Sequence, residues 1–216
     1  MATLSALFMI ASLYAFQADS GPVMELKSSF DSIQDYICIL ESFIRKGDKT
    51  EERTYEYRYM KPGWVYMKIL EGDNKGAVVI YNPKTGKVRA RKGGILGAIK
   101  LTFDPTDKKV LSIRGHRVDE SHMGAILNRW LDYLARARVE FKGDTAVDGL
   151  KGLLLEATEC DTAKYHGTWK ETLLLDPDNH LPVLIEQFDS SGELIHRVRI
   201  KDLKLNTGLK EEDFRL

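Results

Sequence analysis

Thr172-Leu173-Leu174-Leu175-Asp176-Pro177-Asp178-Asn179-His180-Leu181-Pro182-Val183-Leu184-Ile185-Glu186-Gln187-Phe188-Asp189-Ser190-Ser191-Gly192-Glu193-Leu194-Ile195-His196-Arg197-Val198-Arg199-Ile200-Lys201 holds three extended runs separated by two turns. Thr172 to Leu175 is apolar enough for a central strand, and Pro182 to Phe188 and Glu193 to Lys201 are the next two. Between them, Asp, Asn, Ser and Gly supply turn chemistry: short polar side chains that bond their own backbone, and a residue free to take positive φ. In the last run Leu194, His196, Val198 and Ile200 share one face, while Arg197, Arg199 and Lys201 share the other. One face is therefore buried and one wet, the signature of a curved antiparallel sheet.

The same pattern extends toward the amino terminus. Leu153 to Ala157 reads as another central strand, and Val110 to Arg114 as a further one. Between these, Met123, Ile126, Leu127, Trp130, Leu131 and Leu134 recur at helical spacing without a miss, and Asp119 is placed to cap that helix. Gly93-Gly94-Ile95-Leu96-Gly97-Ala98 reads as a loop or short helix. Upstream, Thr54 to Met60 (with Tyr55, Tyr57 and Tyr59 on one face), Trp64 to Leu70, Ala77 to Tyr81 and Lys87 to Arg91 are short runs with closely spaced turns, an antiparallel meander. Before them, Gly21-Pro22 opens an amphipathic helix with Val23, Leu26, Phe30, Ile33 and Ile37 on its apolar stripe, expected to run to about Tyr36. No linker, low-complexity tract or internal repeat divides the chain, so residues 19–216 are expected to form a single α+β domain.

Met1 to Ala18 carries no charge, and its apolar block is short for a membrane span. It reads as a secretory signal with cleavage after Ala15 or Ala18, although the usual basic residues after Met1 are missing; the competing reading is a buried amino-terminal helix. Export to the periplasm is the expectation, with membrane association through an uncleaved amino terminus as a variant of it. The 32 Lys and Arg balance 32 Asp and Glu, so no net field draws the chain to nucleic acid. Two cysteines, Cys38 and Cys160, have two open readings, a disulfide or two buried thiols.

The carboxy-terminal strings Leu173-Leu174-Leu175-Asp176-Pro177, Leu181-Pro182, Ile185-Glu186-Gln187-Phe188-Asp189 and Ser191-Gly192-Glu193-Leu194, with the closing Ile200 to Asn206 and Asp213-Phe214, resemble the LolA-like family of periplasmic lipoprotein carriers. Lys61-Pro62-Gly63-Trp64-Val65-Tyr66-Met67-Lys68, Gly76, Tyr81, Arg114-Gly115-His116, Gly124, and Tyr36 and Cys38 after the first helix resemble an uncharacterised branch of that superfamily. That branch commonly has a proline after its histidine, where this chain has Arg117. The likeness covers roughly residues 24–214 and implies an incomplete, half-open barrel with covering helices, whose apolar concave side takes lipid acyl chains in the carriers. No motif defines an acyl-contacting residue. The side chains chosen here for the wall are large apolar ones on the helices and facing strands: Phe30, Ile33, Trp64, Tyr66, Met67, Met123, Leu127 and Trp130. The same residues would serve a solid core equally well.

Nothing nominates catalysis. There is no nucleophile elbow, P-loop or dinucleotide fingerprint. His116 and His122 bracket Asp119 and Glu120, but six residues is not a one-face helical spacing, and capping or solvated histidines are the preferred reading over metal ligands. His166, His180 and His196 are scattered. Lys87, Arg89, Arg91 and Lys92 form a basic stripe suited to lipid phosphates, an acidic partner, or simply solvent. The expected function is non-enzymatic binding of lipid or lipoprotein acyl chains by a monomer, without a cofactor, as carrier or sensor, with a transient membrane or carrier protein as partner. The alternative is a structural or regulatory protein–protein interaction module on the same fold with a filled core.

Overall fold

Alternation with period two runs through most of the chain and is spent on eleven strands: β1 Asp35–Lys46, β2 Lys49–Met60, β3 Trp64–Gly72, β4 Val78–Asn82, β5 Lys87–Arg91, β6 Lys100–Phe103, β7 Arg138–Val147, β8 Leu150–Thr158, β9 Lys170–Leu175, β10 Pro182–Phe188 and β11 Leu194–Leu205. The computed structural model describes residues 21–94 and 99–216. The expected export segment and residues 95–98 of the glycine-rich loop lie outside the described residues. All eleven strands join one sheet in the order β6-β5-β4-β3-β2-β1-β11-β10-β9-β8-β7. Every neighbouring pair is antiparallel. Among the described residues the last strand inserts beside the first, and β6 and β7 are left as the two edges. The sheet curves without closing, which is the half-open, LolA-like architecture expected from the sequence.

Two helices, α1 Gly21–Ser32 and α2 Met123–Arg136, cover the concave face. α2 buries Met123, Ile126, Leu127 and Trp130 as its spacing demands. α1 stops four residues short of the expected Tyr36. Its last carbonyls, those of Phe30 and Asp31, accept from Lys61 Nζ at 2.9 and 3.0 Å, and Gln34 N–H turns to Asn206 Oδ1 at 2.8 Å. Ile37 continues the helical spacing by coincidence: it sits in β1, where Tyr36, Cys38 and Leu40 are buried on one face and the half-buried Ile37 and Ile39 make the other face apolar as well. Such a strand lacks alternation and hides in the sequence.

Two further expectations are corrected. Val110 to Arg114 lies in turns rather than a strand. Asp119 does not cap α2; it is held by Arg117, while His122 takes the cap and its Nδ1 accepts from Ala125 N–H at 3.2 Å. The capping reading of a histidine thus holds for His122.

Candidate functional site

Counting inward-facing positions along the strands lays the concave face out in rungs. Tyr36, Tyr57 and Tyr59 stack at one end, with ring centroids 5.1–5.9 Å apart, and the Tyr36 hydroxyl accepts from Met123 N–H at the start of α2. Phe30, Ile33, Leu127 and Trp130 close over this end with Val23, Leu26, Leu155 and Leu173 to make the main core. Beside this core the concave face is not filled. There a cavity of about 1330 Å³ opens, walled by Leu40, Met67, Val79, Ile185, Val198 and Ile200 from the strands and by Met123 and Ile126 from α2.

Of the eight wall residues read from the sequence, Met67 and Met123 face this cavity. Phe30, Ile33, Leu127 and Trp130 are packed in the adjoining core instead. Trp64 and Tyr66 lie on the other face of β3, which alternates with Met67; there they pack with Val78, Ile80 and Phe214 beneath the carboxy-terminal segment. A choice of both Tyr66 and Met67 for one wall conflicts with the strand's period of two. Of the basic stripe, Lys87 pairs with Asp104 and Arg89 is exposed, while Arg91 and Lys92 stand at the cavity.

One rung is polar. His196 of β11 is paired with Gln187 of β10, and Gln187 with Glu171 of β9. Glu171 has no exposed surface. Its carboxylate accepts from Arg129 Nε and Nη2 at 2.8 and 2.9 Å, Trp130 Nε1 at 2.8 Å, the Tyr133 hydroxyl at 3.1 Å and Gln187 Nε2 at 2.8 Å. That last bond fixes the Gln187 amide, so its Oε1 is the acceptor for Arg114 Nη1 at 3.3 Å and for His196 Nδ1 at 3.2 Å. His116 stacks on His196 with centroids 4.6 Å apart, and its edge meets His166 at 4.8 Å. All three imidazoles line the cavity. Burial, and then neighbouring positive charge from Arg114 and Arg129, push His196 down to about 3; burial and the same charges hold His116 well below the ordinary imidazole range and lower His166. They are neutral at pH 7. Among the described residues no group of three His, Cys, Asp or Glu is placed to hold a metal ion. The clustering of His166 and His196 has no counterpart in the sequence reading, although His196 stands in phase with Val198 and Ile200, as does Gln187 with Ile185.

Cys38 and Cys160 are buried and free, the second of the two open readings.

A search of curated proteins returns no match. Among solved structures, the chain is similar to an uncharacterized conserved protein from Thermus thermophilus, with TM-score 0.57 and 10% identity, over 90% of this chain and 91% of that one. It is similar to MucB, with TM-score 0.53 and 15% identity, over 91% of this chain and 62% of that one. The lipoprotein LppX of Mycobacterium tuberculosis aligns at TM-score 0.49 and 8% identity, over 89% of this chain and 99% of that one. At such identities the likeness is one of fold alone. The model of the family described as "Protein of unknown function (DUF1571)" matches residues 33–216, and this protein belongs to that family.

Proposed function

We propose that the protein binds hydrophobic cargo, lipid or lipoprotein acyl chains, in the concave cavity, as a non-enzymatic carrier or sensor in the periplasm. The single observation that carries this reading is the cavity itself: about 1330 Å³ between sheet and α2, whose wall combines aliphatic and methionine side chains with polar and charged ones such as Glu51, Arg53, Asn128 and Gln187. It exceeds the roughly 300–1,000 Å³ of pockets that take drug-sized ligands. Each methylene moved into it from water contributes about 0.8 kcal/mol. Met67 and Met123 are unbranched and polarizable, so they repack around chains of differing length. Cargo of this kind enters from a membrane or another carrier protein, which makes a transient partner part of the proposal. The uncharged residues 1–18 support export.

The interaction-module reading is favoured by a different observation. Among the described strands β6 is an edge, and Ile99 and Leu101 beside it are 56% and 48% exposed. Such an edge accepts an added strand.

Native mass spectrometry of the delipidated protein after exposure to phospholipid and to an acylated peptide separates the two. The expected result is ligand uptake that is lost in Val198→Trp, which fills the cavity, while the circular dichroism spectrum is kept. A clean apo mass under all conditions overturns the carrier and puts the interaction module first.

A further inference from the structure

The polar rung ends at an unusual place for unmatched polarity. Glu171 and Arg129 neutralise one another, and every oxygen of Glu171 is taken. Arg114 is then left with 7% exposure and, among the described residues, no carboxylate in direct contact. Its guanidinium bonds to neutral acceptors: Gln187 Oε1, the His166 carbonyl and Thr168 Oγ1. Asp189 and Glu171 act on it from beyond hydrogen-bond distance. A buried cation without a counter-ion is costly. Beside it, Nδ1 of His116 is buried with no hydrogen-bond partner among the described residues, a loss of about 1–3 kcal/mol when it stays unmatched. His116 lines the cavity and Arg114 lies behind the lining, bonded to Gln187 and the His166 carbonyl, beside Ile44, which pairs with His196, and Val198 two residues along β11.

Glu51 Oε2 and Arg53 Nε are likewise buried and unpartnered among the described residues of the lining, but there the opposite charges stand together, whereas the corner at His116 and Arg114 is net positive and complementary to an amphiphile with an anionic oxygen end. We infer that His116 and His166, with Arg114 behind them and His196 as the ring on which His116 is stacked, form a head-group subsite for a carboxylate-ended acyl chain, with the chain lying along Val198, Ile200 and Leu40. This inference rests on the cargo-binding reading and names the chemical class that the cavity selects. A neutral imidazole has one N–H to donate, and the fixed Gln187 amide makes Nδ1 of His196 its protonated nitrogen. His116, free of such a constraint, is the imidazole able to turn its proton to the ligand. The carboxylate in turn supplies the negative charge that Arg114 lacks. Stacking at 4.6 Å with planes 26° apart leaves no room between the His116 and His196 rings, so a carboxylate meets their edges, and the nearly parallel planes are unsuited to converging on one metal ion.

The test compares probes that share a chain and differ at the end. Delipidated full-length protein is titrated with hexadecanoate and with hexadecan-1-ol, each displacing a fluorescent apolar dye. Hexadecanoate is expected to bind roughly tenfold more tightly, the value of one added hydrogen bond to a charged group. In His116→Phe, which keeps the stacking area, the ratio between the two ligands is expected to fall toward one. Equal binding of acid and alcohol by the native protein overturns the subsite and leaves the cargo reading standing. Binding of neither overturns both. Displacement of hexadecanoate by millimolar acetate would make the corner a free-anion site and overturn the assignment to an acyl head group. The native comparison needs no variant, so a fold defect in His116→Phe does not blunt it.

Discussion

Glu171 illustrates how a carboxylate with no exposed surface is tolerated: five donors from Arg129, Trp130, Tyr133 and Gln187 converge on its two oxygens. Removing the acid leaves Arg129 without its counter-charge and Trp130, Tyr133 and Gln187 without an acceptor. Glu171→Ala is expected to cost about 3–5 kcal/mol in urea denaturation, and Glu171→Gln, which keeps shape and one acceptor, distinctly less. Equal and small losses would mean that the network contributes little. In the sequence Glu171 is one of 32 acidic residues, and only its phase with Leu173 and Leu175 marks it as inward. Partners that meet across three strands and a helix leave no local signal, so the polar rung is not legible in the sequence although its apolar neighbours are. The thiols make a second case at this scale. Burial pushes Cys160 up to about 11 and Cys38 further, so the reactive thiolate is scarce at both. Neither is expected to be alkylated by iodoacetamide at pH 8 until denaturant is added, followed by mass; modification of the native protein would contradict their burial.

At the scale of elements, the two helices are joined by a contact that only glycine permits. A Cβ on Gly124 would stand 2.8 Å from Phe30 Cζ and 3.0 Å from Nδ1 of His122, the atom that caps α2. Gly124→Val therefore forces α1 away from α2 or breaks the cap. The expected loss is about 1–3 kcal/mol, as for other overpacked sites, read from thermal unfolding; an unchanged melting temperature would place the helix contact elsewhere. Helix α2 is fully legible because Met123 to Leu134 keeps one stripe against the sheet. Its cap is not: Asp119 has the better capping chemistry, but its carboxylate is already bound by Arg117, and a histidine three residues later takes its place. β10 is legible to the residue, since Pro182 and Phe188 sit between clear turns. β1 is hidden for the opposite reason, being central, with apolar residues on both faces from Tyr36 to Leu40 although only Tyr36, Cys38 and Leu40 are fully buried there. β7 is hidden as an edge strand whose residues are mostly exposed or half-exposed.

Across the whole molecule, the half-open sheet sets the electrostatic behaviour. Its concave side places His116, His122 and His196 around the cavity and the start of α2, where they are largely withdrawn from water, with His166 at the exposed mouth. Desolvation lowers all four, His122 to about 4 and His196 to about 3. Charged groups facing them are Arg114, Arg129, Glu120, Asp119 and Glu171, and the two arginines add to the lowering at His116, His166 and His196. The sign follows by linkage. Above pH 7 these imidazoles are neutral both folded and unfolded and contribute little slope. Below the ordinary value of about 6.5 the unfolded chain takes up protons that the folded chain refuses, so stability falls as pH falls, by about 1.4 kcal/mol per unit for each of His122 and His196. The fall continues until the folded values are reached, near 4 for His122 and 3 for His196. Asp132, held down to about 2 by Lys164 and Tyr165, also favours the folded state at higher pH, but its contribution is lost only below the ordinary carboxylate range. Between about pH 6.5 and 4 the loss comes from the histidines; below about 4 the remaining His196 contribution and that of Asp132 overlap. Urea denaturation from pH 7.5 to 4 at fixed ionic strength is expected to give a steepening loss below 6.5, and His196→Gln, which keeps an amide toward Gln187, is expected to flatten part of it. A stability independent of pH across that window would mean that the cavity admits water to the imidazoles and leaves them free to ionise in the folded state.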